Sequence, residues 1–199
     1  MFIIGVTGSF GTGKTTVAKI FAGFGAKVID ADKIVHQLMR KGGPCYRPIV
    51  RLFGKEILTK GEIDRKKLAT IVFNDPRRLK KLCNIIHPLV VKEIKKNISR
   101  FRKIKRIRAV IIDAPLLIEA DLHKIVDYLV VVKANRKLQI KRILRRARIT
   151  KGQIMKRIKS QLPMREKIRL ADIIIDNRGN LTRTKNEVGK IWQRLSKRK

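Results

Sequence analysis

The sequence predicts an α/β fold, a doubly wound parallel sheet with helices on both faces. Three observations lead there. The first fifty residues alternate strand, loop, helix, strand and helix. Continuous apolar runs of strand length recur along the chain and end in a carboxylate, as strands buried on both faces do. A glycine-rich stretch also separates the first strand from the first helix.

The elements follow in order. Phe2-Ile3-Ile4-Gly5-Val6 reads as a short buried strand, and Lys14 to Ala22 as a helix ended by Gly23 and Gly25. Ala26 to Asp30 is a second strand, and a helix beginning at Asp32 should stop at Gly42-Gly43-Pro44. From Cys45 to Arg102 there is no good strand. Asp64 N-caps a helix to Phe73, and Asn74-Asp75-Pro76 starts another with proline in its first turn. His87-Pro88 should break or kink that helix, because proline disfavours the helical conformation of its predecessor. The sheet resumes at Ala109–Asp113 and Val126–Val132. Lys137 to Lys159 is basic and helical, with a break near Thr150-Lys151-Gly152. Asp172–Asp176 is the last strand. After the turn Asn177–Asn180, a final helix carries Val188, Ile191, Trp192 and Leu195 on one side.

Gly8-Ser9-Phe10-Gly11-Thr12-Gly13-Lys14-Thr15 matches G-x-x-x-x-G-K-[ST] between a strand and a helix, the context that gives this pattern meaning. The glycines let successive backbone N–H groups wrap a phosphate, and the helix N-terminus adds partial positive charge. Lys14 would reach the β- and γ-phosphates, and the Thr15 hydroxyl would ligate Mg²⁺. The fold class thus narrows to a P-loop NTPase with a helical insertion and a lid. Asp30-Ala31-Asp32 ends the second strand, the sheet edge that faces ligands in open α/β folds. Asp32 could there accept a hydroxyl proton during phosphoryl transfer, or simply N-cap the next helix. Asp113 fits either a Walker B carboxylate for Mg²⁺ or a cap on a turn. Arg142, Arg145, Arg146 and Arg148 cluster on one helix, where guanidinium groups could clamp phosphoryl oxygens in a closing lid.

Of 199 residues, 50 are Lys or Arg and 15 Asp or Glu, a net charge of +35. That charge attracts polyanions and is spread along the chain, interleaved with Ile and Leu as in Phe101-Arg102-Lys103-Ile104-Lys105-Arg106-Ile107-Arg108. A selected polyanion-binding role and a proteome biased toward Lys and Arg both account for it. Cys45 and Cys83 lie far apart in no metal-like spacing and read as reduced thiols of a cytoplasmic protein. No run is apolar enough for a transmembrane helix, and a signal peptide is not expected at the N-terminus.

The chain resembles bacterial dephospho-CoA kinases over nearly its full length. The likeness rests on Ile4–Gly8 with Gly11–Thr15, Val28–Asp32, Phe53-Gly54, Gly61–Arg65, Leu68-Ala69, Val72-Phe73 and His87-Pro88. It continues through Pro115-Leu116-Leu117-Ile118-Glu119, Gln139, Arg142, Gln161, Ala171-Asp172 and Ile175-Asp176-Asn177. The resemblance implies transfer of the γ-phosphate of ATP to the ribose 3′-hydroxyl of dephospho-CoA, giving CoA and ADP, with Mg²⁺ as cofactor. It implies one kinase domain, with an acceptor-binding insertion at about 45–102 and a lid at about 136–165. Asp32, Lys14 and Arg142 would be catalytic. Gly8, Gly11, Thr12, Gly13, Lys14, Thr15, Thr16 and Asn177 would bind the nucleotide. Asp32, Arg65, His87, Pro88 and Leu116 would bind the acceptor, and Thr15 and Asp113 the metal. The loop departs from the usual Gly-Gly-Ile-Gly-Ser-Gly-Lys-Ser of the family. Thr15 keeps the hydroxyl, and Phe10 is bulkier than the usual Ile.

Two other readings compete. A nucleotide monophosphate kinase would share the loop, lid and Asp32, but not the His87-Pro88 insertion or Pro115-Leu116-Leu117. A nucleic-acid-binding protein switched by ATP would explain the charge, yet no basic patch interleaved with aromatics and no RNA-recognition signature is present. Nucleic-acid binding is therefore expected only as a nonspecific secondary property, and membrane binding is not expected.

Overall fold

The computed structural model describes residues 1–147 and 149–197. In chain order its elements are β1 (Phe2–Thr7), α1 (Lys14–Gly23), β2 (Lys27–Asp30), α2 (Ala31–Met39), α3 (Tyr46–Phe53), β3 (Leu58–Thr59), β4 (Glu62–Ile63), α4 (Arg65–Val72) and α5 (Pro76–Arg102). There follow β5 (Ala109–Asp113), β6 (Tyr128–Lys133), α6 (Arg136–Leu144), α7 (Lys151–Lys159), α8 (Met164–Arg169), β7 (Ile173–Asp176) and α9 (Leu181–Lys197). Short 3₁₀ turns precede β3 and β6. The chain divides into two compact units, residues 1–29 with 97–199, and residues 30–96.

The first unit is built on a five-stranded sheet in the order β2-β5-β1-β6-β7. The pairings of β1 with β5 and β6, and of β6 with β7, are all parallel. Strands β1 and β5 are buried at every residue, which is why they read as unbroken apolar runs. On one face Val17, Ala18 and Phe21 of α1 and Val188, Ile191 and Leu195 of α9 close over Ile4, Val6, Ile111, Val130 and Ile175. Trp192 packs there too, stacked on Phe24 at 6.2 Å between ring centroids. Two carboxylates finish the ladder at the amino ends of strands: Asp127 accepts from the Ile3 N–H at 2.6 Å, and Asp172 from Leu129 N–H at 2.7 Å. A smaller cluster of Ile143, Ile154 and Ile158 joins α6 to α7, with Phe10 against it.

The second unit departs from the sequence reading in four respects. It contains an antiparallel hairpin, β3 with β4, where no strand was expected. Strands of two residues are too short to show a period of two. Helix α2 ends at Met39, before the Gly42-Gly43 stop. Its N-cap is Asp30, which accepts from Lys33 N–H at 3.0 Å, so Asp32 lies in the first turn and is not the N-cap. And α5 runs unbroken through Pro88 for 27 residues. Pro88 removes one helical N–H bond, the one that would reach the Asn84 carbonyl. Leu82, Ile86, Val90, Ile94 and Ile98 are buried at every fourth residue and carry the helix past that point. Asp64 does cap α4, accepting from Lys66 N–H at 2.8 Å, and Asp75 accepts from Arg77 N–H at 2.8 Å beside the Pro76 start. Cys45 and Cys83 are both free thiols.

Candidate active site

The loop from Gly8 to Gly13 leaves β1 at its carboxyl end and enters α1 at Lys14. Gly13 sits at φ 94°, which L side chains rarely adopt, and a Cβ there would collide with Asn177 Nδ2. The loop is shaped from outside by residues far away in sequence. Asn177 Nδ2 donates to the Thr12 carbonyl at 2.8 Å. Arg142 donates to that same carbonyl at 3.2 Å and to the Asn177 carbonyl at 2.9 Å. Gln161 Oε1 accepts from Phe10 N–H at 2.9 Å and from the Ser9 hydroxyl at 3.1 Å. Arg157 lies over the Phe10 ring, 5.2 Å from its centroid. Lys14 is nearly buried and curls back so that Nζ donates to the Ser9 carbonyl at 3.3 Å. The Thr12 carbonyl is thus held outward by two distant donors, while the Phe10 and Thr12 N–H groups are engaged on Gln161 and on the Ser9 carbonyl.

Asn177 is the keystone. It is 6 % exposed, and each of its polar atoms has a partner. Its backbone N–H donates to Lys133, its carbonyl accepts from Arg142, and its Oδ1 accepts from the Thr184 hydroxyl at 2.9 Å. Arg142 likewise has two of its five donors engaged on carbonyls. Burial, then the neighbouring Arg146 charge, pull its guanidinium below the usual range. Helix α6 ends at Leu144, so Arg145 and Arg146 lie in the turn beyond it and do not share Arg142's helix. Arg148 lies outside the described residues.

Asp113 ends β5 in register with Val6 of β1 and is 5 % exposed. Thr15 and Thr16 stand in the first turn of α1, Thr15 exposed. Among the described residues no group of three His, Cys, Asp or Glu could hold a metal by itself. A hydroxyl and a carboxylate beside a phosphate loop are instead the sparse oxygen set that suits Mg²⁺, which takes its other ligands from phosphates and water.

The structure thus unites Gly8 to Thr16, Arg142, Asn177 and Asp113 in the first unit. Leu116, half-buried, belongs there as well. Asp32, Arg65, His87 and Pro88 belong to the second unit. There Asp32 is exposed in α2, Arg65 exposed at the start of α4, His87 half-buried and Pro88 exposed on α5.

Several supporting residues carried no sequence signal for their role. Lys167 of α8 is fully buried, its ammonium on Glu119 at 2.9 and 3.1 Å and on the Pro115 carbonyl at 2.8 Å. Burial pushes its pKa down, with Glu119 opposing. Glu119 also accepts from Leu162 N–H at 2.9 Å, one residue beyond Gln161. The Thr7 hydroxyl reaches the Pro115 carbonyl at 3.3 Å. The Pro115–Glu119 motif is therefore an anchor for the segment that bears Gln161. Glu119 and Gln161 were visible in the sequence as motif residues without a task, whereas Lys167 and Thr184 looked like ordinary helix positions.

The dephospho-CoA kinase (CoaE) family matches residues 2–183 of the chain. A dephospho-CoA kinase of Carboxydothermus hydrogenoformans is 39 % identical over 193 residues, 96 % of this chain and 93 % of that one. One of Aquifex aeolicus is 41 % identical over 195 residues, 98 % and 97 % of the two chains. The solved dephospho-CoA kinase of Campylobacter jejuni superposes with a TM-score of 0.70 at 30 % identity, covering 98 % of this chain and 97 % of that one.

Proposed function

Because the chain belongs to the dephospho-CoA kinase family, we propose that it transfers the γ-phosphoryl group of ATP to the ribose 3′-hydroxyl of dephospho-CoA, giving CoA and ADP in the last step of coenzyme A synthesis. The observation that carries this reading is the glycine loop whose Thr12 carbonyl is tied back by both Arg142 and Asn177. It is a preorganised anion cradle at the carboxyl edge of a parallel sheet.

In this reading the loop N–H groups and the N-terminus of α1 hold the β- and γ-phosphates. Lys14 leaves the Ser9 carbonyl and meets the transferring oxygens, where positive charge lowers the barrier most. Arg142 keeps the loop in shape, and its remaining donors face the phosphates. Thr15 and Asp113 would hold Mg²⁺ at the β- and γ-phosphates. When bound, that ion neutralises charge there. Asp32 accepts the proton of the 3′-hydroxyl as its oxygen bonds to the γ-phosphorus, and the bond to the β-phosphate oxygen breaks to release ADP. Arg65, His87, Pro88 and Leu116 bind the acceptor. Among the described residues no helix is long and apolar enough to cross a membrane, and a cytoplasmic enzyme working on diffusible substrates fits this reading.

The test incubates the protein with Mg-ATP and either dephospho-CoA or AMP, following ADP release and CoA formation. CoA formation without AMP turnover is expected. AMP consumed without CoA formed would replace this reading with a nucleotide monophosphate kinase.

A further inference from the structure

Phe10 lies midway along the phosphate loop, yet its ring packs in another part of the fold. It sits against the apolar cluster of Ile143, Ile154 and Ile158, which is separate from the core between the sheet and helices α1 and α9. Arg157 of α7, half-buried, places its guanidinium carbon 5.2 Å from the centroid of the ring, within reach of a cation–π contact. Four residues further on, Gln161 Oε1 accepts from the N–H of Phe10 itself at 2.9 Å. The neighbouring Gly11 is pressed on the same cluster, since a Cβ there would come within 2.7 Å of Ile143 Cδ1. Backbone and ring at the middle of the loop are thus both held by residues of α6, α7 and the segment after α7.

The two ties fix different things. Gln161 fixes the Phe10 backbone, but it follows the end of α7 and is itself placed by Glu119 on Leu162 N–H. The ring reports where α7 stands, because Ile154, Arg157 and Ile158 are spaced i, i+3 and i+4 and share one face of that helix. Contact with the two isoleucines is non-directional and lets a ring slide over them. A guanidinium is drawn to the negative face of the ring, so Arg157 sets its tilt. Ser9, next in the chain, supplies the carbonyl on which Lys14 Nζ rests at 3.3 Å, so a shift at Phe10 also moves the lysine. A loop already held in shape loses less conformational freedom when a phosphate binds, and binds it more tightly.

We propose that Phe10 and Arg157 are a positioning pair, in which the guanidinium on the ring couples α7 to the phosphate loop and raises the affinity of that loop for ATP. The pair acts through the loop backbone and not on the reacting atoms. This rests on the kinase reading for the ligand of the loop, but not for the identity of the acceptor.

A double-mutant cycle on the full chain tests the pair, with ATP binding read by calorimetry and both KM values by turnover. Phe10→Leu keeps an apolar filler and removes the ring, and Phe10→Met replaces it if that variant does not fold. Arg157→Gln removes the charge, whereas Arg157→Lys keeps a cation that can sit on the ring. Arg157→Gln should weaken ATP binding about two- to five-fold more in the wild-type background than in the Phe10→Leu background, the range for a cation–π contact at a partly exposed site. The KM for ATP should follow, the KM for dephospho-CoA should stay level, and Arg157→Lys should recover part of the loss. Effects of the two substitutions that multiply would mean that Arg157 acts by its charge independently of the ring, and would overturn the proposal. So would equal rises in both KM values, the mark of a general packing defect. Coupled losses of ATP binding in a protein that forms no CoA would uphold the pair and remove the acceptor assignment. Failure of the wild type to bind ATP would overturn both.

Discussion

The phosphate loop and the helical second unit are held in opposite ways. The loop is fixed by partners 130 to 165 residues away in sequence, Arg142 and Asn177 on one carbonyl and Gln161 on Ser9 and Phe10. The second unit is punctuated locally. Asp30, Asp64 and Asp75 each cap a helix within three residues of themselves. Its longer ties, Tyr46 to the Gly61 carbonyl at 2.5 Å and Glu62 to Lys41 N–H at 3.1 Å, span only 15 and 21 residues. A loop that turns through Gly8, Gly11 and Gly13 at positive φ carries few side chains to brace itself, so distant residues supply most of the contacts that fix it. A set of capped helices has no such need.

If the second unit contributes chemistry more than scaffolding, its largest effect is on turnover. Asp32→Asn is expected to leave ATP titration unchanged and to lower turnover by about 10²- to 10⁴-fold, the range for losing a general base. Near-normal turnover would remove Asp32 from that role and leave the reaction to the loop alone.

The distant-partner logic predicts that the loop region fails when a remote strut is cut. Lys167→Met keeps the volume but leaves Glu119 and the Pro115 carbonyl without their cation in a nearly closed site. A loss of about 3 kcal/mol in unfolding free energy is expected, as when one partner of a buried pair is removed. A denaturation midpoint within error of the wild type would show that Glu119 re-pairs, and that the strut is dispensable.

Gln161→Leu is smaller and more specific. It removes the acceptor for Phe10 N–H and the Ser9 hydroxyl without touching the phosphate-facing side of the loop. Losing this acceptor is worth about 1.4 kcal/mol, so the KM for ATP should rise about ten-fold. The KM for dephospho-CoA should stay level. Gln161→Glu, which keeps the acceptor, should recover part of the loss. Equal changes for both substrates would mean that the residue supports the whole fold and not the loop.

The same contrast explains what the sequence makes legible. Strands, the glycine loop and the Asp64 and Asp75 helix starts are coded within a few residues, by apolar runs and by caps, and they are readable. The hairpin at Leu58–Ile63 is too short to show a period, and the passage of α5 through Pro88 depends on packing around buried positions such as Ile86 and Val90. The partners of Thr12 are invisible locally. Asn177 and Gln161 stand out for the site only as residues of a resemblance, and Arg142 also as one of a cluster of arginines, with nothing to mark Thr12 as its partner. Their hydrogen bonds exist only once β7, α6 and the segment after α7 meet the loop.

The smallest effect tests the local side of the comparison. The Asp64 carboxyl lies below the usual carboxylate range because it accepts from Lys67 and Lys66 N–H, with Thr59 adding a weaker bond. A carboxyl whose folded pKa is depressed binds fewer protons folded than unfolded. Its stabilisation is therefore fully present above the unfolded value, about 4, and is lost as pH falls through the lower folded value. Asn caps nearly as well as Asp but does not titrate there. The difference in unfolding midpoint between the wild type and Asp64→Asn should accordingly hold steady from neutral pH down to about 5 and shrink, or change sign, on further acidification. A difference that stays constant to the acid limit would mean that the charge on Asp64 adds nothing to its cap, and that even this local signal works through hydrogen-bond geometry alone.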